Sequence, residues 1–135
     1  MIHFSHRKKI NSEQLKKLYN DVEWWAYTKD LMILEQAIER SLEVVSAWNG
    51  EQLVGLIRVV GDGLTIIYIQ DLLVLNTYQN QGIATQLIQQ VLKKYKNVRQ
   101  KVLLTEESSD VRYFYEKNGF KSCDQGFLVA FAKIN

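Results

Sequence analysis

The chain has 135 residues, enough for one domain with its own core, and its 47% apolar and 24% charged content is that of a soluble globular protein. No apolar run nears the roughly 20 residues that span a bilayer, so no membrane-spanning helix is expected. A net charge of +2 is too small to mark a nucleic-acid binder, so the basic clusters at 7–9 and 93–101 read as solvated faces. One cysteine, Cys123, excludes an intrachain disulfide and a cysteine-rich zinc site. The N-terminus lacks the apolar stretch of a signal peptide, so a cytoplasmic protein is expected.

Taken in order, Ile2 to Ser5 reads as a first strand. Asn11 or Ser12 then caps a helix with Leu15, Leu18, Tyr19 and Val22 on one face. Trp24-Trp25-Ala26-Tyr27-Thr28 interrupts the periodicity, and a second helix runs from about Asp30 to Ser41 with Leu31, Leu34, Ala37 and Ile38 on one face. Glu43–Trp48 and Gln52–Val60 are strands joined by the turn signal Asn49-Gly50. Gly61-Asp62-Gly63 turns into an apolar central strand, Ile66 to Leu75, which makes an antiparallel meander of three.

The central strand leads through Asn76-Thr77-Tyr78 into Gln79-Asn80-Gln81-Gly82-Ile83-Ala84, at the head of a helix. Ala84, Leu87, Ile88, Val91, Leu92 and Tyr95 fall on one helical face. The first turn of a helix leaves about four N–H groups unbonded and carries partial positive charge, so this order presents donors to an anion. Gly82 lets that anion approach the backbone. Lys101–Thr105 reads as a short strand parallel to the central one, because a helix connects them. Ser108, Ser109 or Asp110 caps a last helix carrying Val111, Phe114 and Tyr115, which Asn118-Gly119 closes in a left-handed cap. Phe120–Cys123 and Phe127–Lys133 are expected to form a closing hairpin through Asp124-Gln125-Gly126.

The hexapeptide 79–84 resembles the Gln/Arg-x-x-Gly-x-Gly/Ala pyrophosphate signature of the GNAT acetyltransferases. About thirty residues later, Phe114-Tyr115-Glu116-Lys117-Asn118-Gly119-Phe120 resembles a segment near that family's C-terminus. The resemblance covers the whole chain and implies a single α/β (α+β) domain over 1–135, with a mixed, mostly antiparallel sheet of six to seven strands and four helices. It implies acetyl-CoA as co-substrate, no metal, and direct transfer of an acetyl group to an amine. The acceptor is expected to be a small metabolite or amino acid. A protein lysine or N-terminus and a non-catalytic acyl-CoA-binding module are the alternatives. Neither nucleic acid nor membrane is implied as a partner, and a homodimer stays open.

Carried over residue by residue, Val74 and its neighbours Leu72 and Leu73 would bind pantetheine through backbone atoms. The Leu72 N–H would face the thioester carbonyl, where attack builds negative charge. The motif Gln79, Asn80, Gln81, Gly82, Ile83 and Ala84, with Thr85, would hold the cofactor, the backbone of 81–84 cradling the pyrophosphate. Ser108 stands where the family often has Asn bonded to pantetheine, and being shorter it reaches less far. Tyr115 matches the general acid that protonates the departing thiolate, against a reading as an ordinary core tyrosine.

Other candidates rest on the residues themselves. Asp71, a carboxylate in an apolar strand, reads either as the general base or as a buried aspartate paired with a neighbour. Trp24, Trp25 and Tyr27 read as a wall for an organic amine or as core. Arg58 reads as a binder of an acceptor carboxylate or as half of a surface ion pair. His3 and His6 lack a spacing partner for a metal, and Cys123 has no adjacent base to make it a nucleophile.

Overall fold

The computed structural model describes all residues, Met1–Asn135. They form two compact units, Met1–Leu104 and Thr105–Asn135. The first unit runs β1 (Ile2–Ser5), α1 (Ser12–Asp21), α2 (Trp25–Thr28), α3 (Leu31–Glu39), β2 (Glu43–Asn49), β3 (Gln52–Gly61), β4 (Ile66–Val74), α4 (Ile83–Lys94) and β5 (Gln100–Leu103). The second contains α5 (Ser109–Lys117) and a 3₁₀ turn at Cys123–Gln125.

The five strands make one sheet in the order β1-β2-β3-β4-β5, antiparallel except for the β4–β5 pair. The meander and the parallel fifth strand follow the sequence expectation. The helices number five rather than four, because the aromatic stretch after α1 winds into the single turn α2. No helix is long and apolar enough to cross a membrane.

The expected strand count of six to seven is not met, since residues 120–123 and 127–133 form no strands. The turn signal at 124–126 is used differently. The Asp124 carboxylate accepts from Arg112 Nη2 (2.9 Å) and Ser122 Oγ (2.6 Å), which winds Cys123–Gln125 into a 3₁₀ turn. Beyond Gly126 the apolar side chains stay exposed. An apolar pattern alone does not make a strand, because a strand also needs a partner for its N–H and C=O groups.

Asn11 and Asp30 cap α1 and α3, each accepting backbone N–H groups of the first turn. Between β3 and β4, Asp62 Oδ1 accepts the N–H groups of Leu64, Thr65 and Ile66, which holds its carboxyl well below the usual range. Gly61 (φ +130°) admits no side chain there, since a Cβ would meet the Ile66 carbonyl at 2.5 Å.

The core lies on both faces of the sheet. A Cβ at Gly55 would meet Ile83 and Leu87 of α4, so that side of β3 faces α4. Arg58 lies three regularly paired residues further on and faces the other way, toward α1. Ile83, Leu87, Ile88 and Val91 seal the α4 side at 3% exposure or less, each contributing about 1.5–3 kcal/mol by burial.

Glu43, at the head of β2, ties this side together. Its carboxylate accepts from Lys94 Nζ (2.6 Å) and Tyr95 OH (2.9 Å), and pairs with His6 Nδ1 (3.0 Å). Burial alone would raise its pKa, but the hydrogen bonds from Lys94, His6 and Tyr95 outweigh it and hold the group below its ordinary 4.5. A depressed carboxylate contributes stability that is fully present above its unfolded pKa and is lost as pH falls through the folded one. Glu43→Gln should therefore cost about 1–2 kcal/mol near neutral pH, since Lys94 and His6 are more than half exposed. Thermal melts should show the gap between wild type and variant closing below about pH 4. A gap that is constant with pH would mean the carboxylate charge contributes nothing.

Candidate active site

β4 outruns its parallel neighbour. The last β4–β5 pair is Ile69 with Leu103, while β4 continues to Val74. Five residues at about 3.3 Å each leave about 17 Å of strand edge without a partner strand on that side. The N–H of Leu75 bonds the Val54 carbonyl of β3 at 2.9 Å. Backbone groups alternate along a strand, so Leu73 also directs its N–H and C=O at β3, while those of Leu72 and Val74 face the open edge. Among the three strand residues expected to hold pantetheine, two thus present their backbone and Leu73 does not. The Val74 carbonyl already accepts from Gln79 Nε2 at 3.0 Å. That makes Gln79 a brace for the turn rather than a free ligand. The turn is further fixed by Asp21, whose carboxylate accepts the Asn76 N–H at 2.6 Å.

At the end of this edge stands the head of α4. Asn80 (φ +63°) and Gly82 (φ +83°) both take left-handed backbone, and no side chain caps the helix. The first bond at this end runs from the Gln86 N–H to the Gly82 carbonyl (3.0 Å), so the donors of Ile83, Ala84 and Thr85 remain for another acceptor. A Cβ at Gly82 would meet nothing within 4 Å, so the space in front of these donors is open. The donors, the dipole and the opening fit a phosphate group. Ile83 itself is 3% exposed, and its side chain belongs to the core.

On the α1 side of the sheet, Asp71 is the centre of a buried network. Oδ2 accepts from Arg58 Nε (2.7 Å) and Tyr19 OH (2.9 Å), and Oδ1 accepts from Tyr27 OH (2.5 Å). Arg58 Nη1 reaches Ser41 Oγ at 3.5 Å. Asp71 is 1% exposed and Arg58 6%. Burial would lower the pKa of Arg58, but the Asp71 carboxylate beside it outweighs this and raises it. Burial and then the Asp71 charge push Tyr27 up, and Tyr19 further up, so both phenols stay protonated donors.

The reading of Asp71 as a buried aspartate paired with a neighbour describes what is seen, with both oxygens accepting hydrogen bonds. The ion pair of Arg58 is buried rather than on the surface, with Nε on Asp71 and Nη1 near Ser41. The aromatic stretch divides. Trp24, Tyr19 and Tyr27 pack ring against ring, with centroids 5.0–6.1 Å apart, while Trp25 is 54% exposed. Tyr27 belongs to both groups, its ring packed and its hydroxyl in the polar network. Tyr19, read from sequence only as a core residue, and Gln70, whose Nε2 donates to Tyr27 OH at 2.9 Å, were not legible as parts of this cluster. The one sequence signal was the polar pair Gln70-Asp71 inside an apolar strand.

In the second unit, Ser108 is the N-cap of α5, its Oγ accepting the Val111 N–H at 3.5 Å. Tyr115 packs edge-to-face with Phe114 and Phe120, with centroids 5.1 and 5.8 Å away. Burial pushes its phenol up to about 12. Tyr113, two residues earlier, is 65% exposed.

A mixed sheet opened along β4, beside a glycine-headed, uncapped helix, is the frame of an acyl-CoA N-acyltransferase. The family model of the GNAT acetyltransferase domain matches residues 8–132, and the chain belongs to that family. Among solved structures, a GNAT-family acetyltransferase from Streptococcus pneumoniae superposes with a TM-score of 0.88 at 36% identity, over 100% of this chain and 98% of that one. A probable acetyltransferase from meticillin-resistant Staphylococcus aureus shares the fold (TM-score 0.80, 23% identity, 99% and 100% coverage). So does the PaiA N-acetyltransferase of Thermoplasma acidophilum, solved with coenzyme A (TM-score 0.73, 18% identity, 90% of each chain). No curated protein matches the chain.

Proposed function

We propose that the protein, as one acetyltransferase domain over residues 1–135 in the cytoplasm, moves the acetyl group of acetyl-CoA directly to the amine of a small metabolite or amino acid. The observation that carries this reading is the unpartnered edge of β4, with Leu72 and Val74 facing outward and the open head of α4 at its end. The aromatic turn α2, bonded to β4 through Tyr27, supports a small organic acceptor.

Acetyl-CoA supplies the activated acetyl group. The donors of Ile83, Ala84 and Thr85 hold its phosphates, and the outward groups of Leu72 and Val74 align its amide chain along β4. The acceptor ammonium first loses one proton to solvent. Its nitrogen then bonds to the carbonyl carbon, the carbon–sulfur bond breaks, and the nitrogen sheds a second proton to solvent, which restores the one given to the departing thiolate. The Leu72 N–H stabilises charge developing on the carbonyl oxygen. Tyr115, on the strength of its motif, gives a proton to the thiolate. Asp71 positions Tyr27 and Arg58.

A panel of free amines and peptides, read by thiol release from acetyl-CoA, tests the reading. Turnover with free amines is expected, whereas turnover with peptides alone would replace it with protein acetylation. Gly82→Glu should abolish measurable coenzyme A binding in calorimetry, because it sets negative charge against the phosphate donors. Gly82→Ala is the control. It meets no neighbour and carries only the strain of left-handed backbone, about 1–2 kcal/mol. Equal affinity in wild type and Gly82→Glu would place the phosphates elsewhere.

A further inference from the structure

Gln70 is the extra residue of a bulge in β4. Arg58 pairs with Asp71 and Val59 with Ile69, which leaves Gln70 opposite nothing on β3. It is also the first residue past the last β4–β5 pair, two before Leu72. Its side chain is exposed, and its amide is oriented by the network behind it. Tyr27 OH donates its proton to Asp71 Oδ1, while Asp71 Oδ2 is paired with Arg58. The phenol oxygen is then left to accept, and the group facing it must be the Gln70 NH₂. The amide oxygen, Oε1, is consequently turned away from Tyr27.

We infer that Gln70 reads the acceptor, its Oε1 taking an N–H of a primary amine borne on an apolar, aromatic-sized body with a single positive charge. This rests on the acetyltransferase reading of the same site. A carboxamide suits the task better than a carboxylate. It positions the amine while stabilising the ammonium form less, and that form must lose a proton before it can attack. Arg58 and Asp71 cancel within the cluster, which holds no unpaired carboxylate, so a second or third positive charge on the acceptor finds no partner there. The half-buried ring of Tyr27, whose hydroxyl meets the Gln70 amide, supplies apolar surface.

The test is calorimetric titration of 2-phenylethylamine and of spermidine into the coenzyme A-loaded protein. Wild type should bind 2-phenylethylamine more tightly than spermidine. Gln70→Leu should raise its Kd by about tenfold or more, the loss of one good hydrogen bond. Coenzyme A affinity and melting temperature should not change. Tyr27→Phe frees the amide to rotate and should also raise the Kd. The double variant should then bind no worse than Gln70→Leu alone, since both changes remove one oriented acceptor. A Gln70→Leu Kd within about twofold of wild type, additive losses in the double variant, or tighter binding of spermidine would each overturn the inference. Thiol release is read separately. If no amine releases thiol while this binding pattern holds, the acetyltransferase reading fails and the role of Gln70 stands.

Discussion

Tyr115→Phe is expected to lower turnover by about 10²–10⁴, the usual share of general-acid catalysis, with little change in coenzyme A affinity. The phenyl ring keeps the edge-to-face packing on Phe114 and Phe120, so the variant loses a proton donor and not a core contact. The shape of the pH profile adds a second check. Burial raises the Tyr115 phenol to about 12, so its acid form persists throughout the accessible alkaline range. Wild type should therefore show no alkaline loss from this group up to about pH 11, and the variant should be slower by a constant factor across that window. A thioester with a more acidic leaving thiol needs less protonation and should narrow the difference. Tyr113→Phe should leave turnover unchanged, since two residues along a helix turn the side chain by about 200°. Near wild-type turnover in Tyr115→Phe would remove the general-acid assignment.

The largest expected effect on stability is at Arg58. Arg58→Met removes the cation from a carboxylate that is 1% exposed and leaves Asp71 with only the two phenols. Breaking a buried pair on one side costs about 3–5 kcal/mol, because the remaining charge is left without compensation. For a chain of this length that is on the order of 10–20 °C in melting temperature. The reciprocal pair Arg58→Met/Asp71→Leu should recover most of the loss, as replacing both charges often does. Recovery should stop short by about 1–3 kcal/mol, because the buried Tyr19 hydroxyl then lacks its acceptor. Urea unfolding followed by tryptophan fluorescence measures both. A loss below about 1 kcal/mol in the single variant would show that water or rearrangement compensates Asp71.

The parts of this molecule that were legible in the sequence are those whose physics is local. The face of α4 and its glycine head follow from spacing within a dozen residues. The cap of α1, read as Asn11 or Ser12 and found at Asn11, needs only the next turn. The parallel placement of β5 follows from the helix that precedes it. The fate of Asp71 was not legible, because its partners Tyr19 and Tyr27 lie 52 and 44 residues away and Arg58 lies across a strand. A carboxylate in an apolar strand looks the same on paper whether it waits for a proton or is held by three donors. The C-terminal expectation missed for a related reason. The apolar run at 127–133 describes a segment that could pair, and pairing is decided by what the rest of the chain offers. The bulge at Gln70 leaves no sequence trace, since an extra residue appears only when two strands are set side by side.

That extra residue also bears on how the protein can change over time. On either side of it, Ile69 and Asp71 are buried and constrained by packing and charge, so exchanges there act first on folding. Gln70 has no opposite number on β3 and is exposed to solvent. Its identity can therefore drift under selection for a new acceptor without a matching change in the neighbouring strand. The sheet in this way separates what must be conserved to keep its architecture from one position at which substrate choice is free to evolve.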